Sequence, residues 1–68
     1  MNADGFLARV RERLDVLGLT ASAACKAAGL NPGFLRDIQR RQHAPGIDKL
    51  QKLAEVLQCS PAFLLGAA

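Results

Sequence analysis

Between Asn31 and Pro45 the chain carries Arg36, Arg40 and Arg41 against a single acid, Asp37, with His43 close behind. An arginine presents a planar fork of N–H donors that fits two neighbouring acceptors, as on the major-groove edge of guanine. An aspartate can accept from the amino group of cytosine. Arginines set off such a line can instead grip phosphates, which fix position without reading sequence. Leu35 and Ile38, three apart, define one buried side of a helix. At about 100° per residue, Gly33 and Arg40 fall opposite that side, flanked by Arg36 and Asp37. Phe34 and Gln39 stand at the margins. The plainer reading of Arg36 and Asp37 is an ordinary exposed charge pair, so the elements that hold them must decide.

Those elements lie just upstream. Thr20 suits an N-cap, because its hydroxyl can accept from a free backbone N–H in the following turn. Ala21, Ala23, Ala24, Cys25, Ala27 and Ala28 then form a run of good helix formers with almost no bulk, which lets another helix approach closely. Gly29-Leu30-Asn31 reads as a tight turn. Gly29 can take positive φ, and a larger side chain there is expected both to strain the turn and to push the two helices apart. Leu30 pins the turn to the core, Asn31 can cap the next helix, and Pro32 fits that helix's first turn. One helix that braces and a second that projects is the arrangement with which a helix-turn-helix reads DNA.

The remaining segments are also helical. Phe6, Val10, Leu14 and Leu17 recur at steps of four, four and three, which predicts a helix over Asp4–Leu17 with Asp4 as N-cap and Gly18 as the stop. Arg9, Arg11 and Arg13 fall elsewhere on it and read as a solvated face, with Arg11 and Asp15 spaced to pair. A fourth helix is expected over Ile47–Leu57, with Ile47, Leu50, Leu53, Ala54 and Leu57 on its apolar side and Asp48 suited to its dipole. Ser60-Pro61 opens a fifth, Pro61–Leu65. No alternating strand pattern or internal repeat occurs. The expectation is an all-α fold, a compact bundle of five short helices with a central helix-turn-helix. It forms a single domain over 1–68 with its core at about 5–65.

Composition narrows the possibilities. At 68 residues there is room for one domain. Half the residues are hydrophobic but only Phe6, Phe34 and Phe63 are aromatic, so Leu, Val, Ile and Ala must build the core. A net charge of +3 and a pI near 9.4 are mild; what matters is that the excess gathers around the third helix. Cys25 and Cys59 lack a CxxC partner, and one histidine cannot complete a metal site with them, so both read as small buried hydrophobes in a reducing compartment. No metal, cofactor or small-molecule ligand is implied. The sequence has no run approaching the ~20 apolar residues of a membrane span, and a cytoplasmic protein follows. Catalysis finds no support. Cys25 and His43 are the only nucleophile–base pair, and Cys25 sits where the helix packs.

From Phe6 to Leu65 the sequence resembles the Cro/cI-type (XRE-family) helix-turn-helix DNA-binding domain of the lambda-repressor-like fold. The resemblance is carried by Ala24-Cys25, Gly29-Leu30, Asn31-Pro32, the Leu35/Ile38 pair, Pro45, and the closing LQKLAEVLQCSPAFLL. It implies a regulator of bacterial or phage origin, commonly a repressor that binds double-stranded DNA as a dimer. It further implies that Pro32, Gly33, Arg36 and Asp37 face base edges. Phosphates are left to Arg40, Arg41 and the residues that begin the second and fourth helices, among them Thr20, Ala21 and Ser22. His43 is either one more phosphate contact or a solvated loop residue. The chain departs from the family where Ala21 replaces a glutamine that often opens the second helix, with Ser22 the nearest substitute. Cys25 takes the place of a small alanine, and Pro32-Gly33 offers little hydrogen bonding, which shifts readout toward Arg36 and Asp37.

Phe63, Leu64 and Leu65 give more apolar surface than a five-residue terminal helix can easily hide, which predicts a homodimer interface there. Two further roles fit the same residues: the antitoxin of a toxin–antitoxin pair, and a helical protein-interaction module whose basic stripe meets an acidic partner.

Overall fold

The computed structural model describes residues 3–42 and 45–66. They form α1 (Ala3–Leu17), α2 (Ala21–Ala27), α3 (Phe34–Arg41), α4 (Ile47–Val56) and α5 (Pro61–Leu65), with no strand among them. The all-α bundle of five helices expected from the sequence is the observed fold. α1 packs against α5, α3 and α2; α4 packs against α2 and α5; and α2 rests on α3.

The core is the periodic set of each helix brought together. Phe6, Val10 and Leu14 of α1 meet Ala24 and Cys25 of α2, Leu35 and Ile38 of α3, and Leu50, Leu53 and Ala54 of α4, with Leu57 and Leu64 closing the far side. The small residues of α2 perform their expected task, since Ala24 and Cys25 are fully buried. Ile47, by contrast, is expected on the apolar side of α4 but is 62% exposed. It occupies the first position of the helix, one turn before Leu50, where the stripe has run past the end of the core. Leu64 differs in the opposite sense. Proposed at an intermolecular surface, it is fully buried within its own fold, leaving Leu65 exposed and Phe63 half-buried.

The helix ends follow local chemistry. The Thr20 hydroxyl accepts from the Ala23 N–H at 3.1 Å, and the Ser60 hydroxyl from the Phe63 N–H at 3.0 Å, as N-caps do. Asp4 is not the cap of α1, because the helix already begins at Ala3, whose N–H donates to Gln42 Oε1 at 3.4 Å. At the C-termini, Gly18, Gly29, Gln42, Gln58 and Gly66 all adopt left-handed backbone, with φ between 56° and 77°. After α2 the Leu30 N–H donates to the Cys25 carbonyl at 2.8 Å and the Gly29 N–H to the Lys26 carbonyl at 3.0 Å, which satisfies two orphan carbonyls. Gly29 is thus in the expected conformation, with φ +74°. The steric part of the expectation fails, because a Cβ built there meets no heavy atom within 4 Å.

Two arginines of α1 are structural rather than solvated. Arg13 Nε donates to the Leu57 carbonyl at 3.0 Å and its Nη2 to the Gln58 carbonyl at 3.4 Å, so a cation closes the C-terminal end of α4. Arg9 Nη1 donates to the Gly5 carbonyl at 3.0 Å, and its guanidinium lies where side chains at Gly5 and Gly66 would otherwise stand.

Candidate nucleic-acid interface

The turn into α3 is built by Asn31. Its Oδ1 accepts from the Gly33 N–H at 2.8 Å, and its backbone carbonyl accepts from the Phe34 N–H at 2.9 Å. Such a local side-chain bond competes with helix formation. Pro32 and Gly33 therefore form a turn before the helix, not its first turn, and α3 begins at Phe34. Pro32 is exposed at the tip and Gly33 half-buried.

Leu35 and Ile38 fasten α3 to the core, and Arg36, Asp37, Gln39, Arg40 and Arg41 are exposed on its other sides. Two shallow grooves flank the helix. One, of about 280 Å³, separates α3 from α1 and the start of α2; Ser22, Arg36, Gln39 and Arg11 border it. The other, of about 200 Å³, lies toward α4, bordered by Asp37, Arg41 and Lys49. Arg36 and Asp37 thus stand on opposite flanks of the helix. Arg40 borders neither groove, as expected for the residue opposite the Leu35/Ile38 side. Lys49 Nζ is 5.8 Å from the centroid of the Phe34 ring, a cation–π contact that covers the half-buried Phe34 and keeps a positive charge beside α3.

Of the other positions considered for phosphate contact, Ala21 and Ser22 are exposed where α2 begins. Thr20 is exposed too, but its oxygen already accepts from Ala23, which leaves its O–H as the group free to donate. His43 lies outside the described residues.

Residues 10–64 match the helix-turn-helix family HTH_3. The chain belongs to this family. Among solved structures, the fold is similar to the DNA-binding domain of the P22 C2 repressor (residues 1–76) determined in solution by nuclear magnetic resonance. The TM-score is 0.77 and the identity 31%, over 96% of this chain and 86% of that domain. No curated protein sequence matches the chain.

Membership of the helix-turn-helix family agrees with the Cro/cI-type resemblance read from the sequence, and the family is non-enzymatic. The chemistry of the two thiols is consistent with that. Burial raises the Cys25 thiol above its ordinary value, opposed weakly by the Leu35 backbone beside it. Burial also raises Cys59, opposed by the nearby charge of Arg13. Both are free thiols; Cys25 is buried in the core, whereas Cys59, expected to be buried, is half-buried against it between α4 and α5. Sequence reasoning did not single out Lys49 in this region, which had no signal beyond its charge. Asn31 was expected to capture a backbone N–H as a cap and does so, but the Asn-Pro-Gly order was also a turn signal that the expectation of Pro32 in the helix's first turn overrode.

Proposed function

We propose that this helix-turn-helix chain is a sequence-specific double-stranded DNA-binding regulator, a repressor that acts in the cytoplasm as a homodimer on a roughly palindromic operator. The observation that carries the reading is the division of α3. Leu35 and Ile38 are committed to the core, while Arg36, Asp37, Arg40 and Arg41 are all exposed on the rest of the helix. Arg36 and Asp37, nearer the N-terminal end, take the base edges; Pro32 and Gly33 let the backbone approach them. Arg40, Arg41, Thr20, Ala21 and Ser22 lie where phosphates would pass. Similarity to the P22 C2 repressor domain supports the same use.

The dimer reading rests on Leu65, 38% exposed, beside the half-buried Phe63. Paired through α5, two chains would set their reading helices about 34–36 Å apart, one turn of DNA. Selection of bound duplexes from random double-stranded DNA tests both parts. The expected result is one enriched motif with two-fold symmetry, bound by two chains. Recovery of no motif, with acidic protein bound instead, would replace the reading with a protein-interaction role. An asymmetric motif bound by one chain would end the dimer.

A further inference from the structure

α1 carries three arginines, and two are spent inside the fold: Arg9 on the Gly5 carbonyl, Arg13 on the carbonyls of Leu57 and Gln58. Arg11 is different. It is exposed and, among the described residues, makes no hydrogen bond or ion pair, including with Asp15 one turn on. It stands on the rim of the 280 Å³ groove, with Ser22, Arg36 and Gln39 as the other polar groups and Leu7, Val10, Leu14 and Leu35 among its apolar lining. On its other side a smaller groove brings it near Asp4 and Gln39.

We propose that Arg11 binds a DNA phosphate, extending the interface from the helix-turn-helix onto α1. The proposal rests on the DNA-binding reading above. A helix that enters the major groove has a sugar–phosphate strand along each of its flanks. On the α4 flank of α3, Arg41 and Lys49 offer two cations to one strand. On the α1 flank, Ala21 offers no hydrogen-bonding side chain and Ser22 no charge, and Arg36 is the residue assigned above to base edges. Arg11 is the remaining cation on that flank, and its long side chain is uncommitted. Placed there, it gives the second strand the charge-assisted contact that the first already has.

The test measures binding of the whole chain to its selected duplex, and to a scrambled duplex of equal length, across a range of salt concentrations. Arg11→Ala is expected to weaken both duplexes by the same factor. It should reduce the slope of log K against log salt by about 0.9 for each chain bound, the value for one phosphate contact on B-DNA. Arg11→Lys should keep the slope, and the melting temperature of both variants should stay at that of the parent. Lys26→Ala, which removes an exposed charge in the last turn of α2, is the control and should leave the slope unchanged. An unchanged slope in Arg11→Ala would overturn the assignment, as would a loss confined to the selected duplex or an equal fall in the Lys26 control. A parent that binds neither duplex would overturn the DNA-binding reading and this inference with it. A parent that binds, with Arg11→Ala binding identically, overturns this inference alone.

Discussion

Replacing Gly29 by alanine separates the conformational requirement of the turn from its packing. Gly29 has φ +74° and open space where a Cβ would stand, so the substitution introduces no collision. What remains is the backbone. A left-handed conformation costs an L-residue ~1–2 kcal/mol, offset in part by the ~0.4–1 kcal/mol that alanine removes from the freedom of the unfolded chain. The net loss is about 1 kcal/mol, the middle of that difference. A domain of this size loses roughly 4–8 °C in Tm for each kcal/mol. Thermal unfolding followed by far-ultraviolet circular dichroism should therefore place Gly29→Ala about 4–8 °C below the parent. Gly29→Asn should fall between them, because asparagine tolerates this conformation better. A Gly29→Ala variant that melts with the parent would refute the left-handed turn. Failure to fold at all would refute the open surroundings.

The same reasoning runs in reverse at the end of α4. Gln58 has φ 56° without being glycine, and its carbonyl rather than its side chain receives Arg13, so Gln58→Gly should raise the melting temperature. The thiols set a pH dependence. Burial holds the folded pKa of Cys25 and Cys59 above the ordinary value of 9.0, so the unfolded chain ionises first. Their contribution to stability is complete below pH 9.0 and is lost as pH rises from there through the folded values. Denaturant titrations should show that decline, and show it reduced in a Cys25→Ala, Cys59→Ala double variant.

Much of the fold was legible because each helix boundary had its own local cause. Thr20, Ser60-Pro61, Gly18 and Gly29 act within a turn of themselves, and the steps between Phe6, Val10 and Leu14 need only helical geometry. The outward set on α3 was legible for the same reason. Part of what was not legible depends on distant partners. Nothing near Arg13 indicates that it will close a helix ending 44 residues later. Leu64 and Leu65 look alike in sequence, and only the position of α1 and α4 around α5 decides that the first is buried. Gln42 and Gln58 end helices in left-handed backbone without the glycine that would have marked them, and Pro32-Gly33 form a turn ahead of the helix in which Asn31 Oδ1 accepts from the Gly33 N–H.

Arg36 and Arg40 share α3 but are assigned different work, and comparing them tests the reading helix itself. Binding of Arg36→Ala and Arg40→Ala would be measured on the selected and scrambled duplexes at several salt concentrations. Arg36→Ala should cost ~1–3 kcal/mol on the selected duplex and relax preference at one base position, with little change on the scrambled one. Arg40→Ala should weaken both duplexes alike and lower the salt slope by about one. Equal weakening of both duplexes by Arg36→Ala would make Arg36 a phosphate contact. Unchanged binding in both variants would contradict the assignment of α3 as the reading helix.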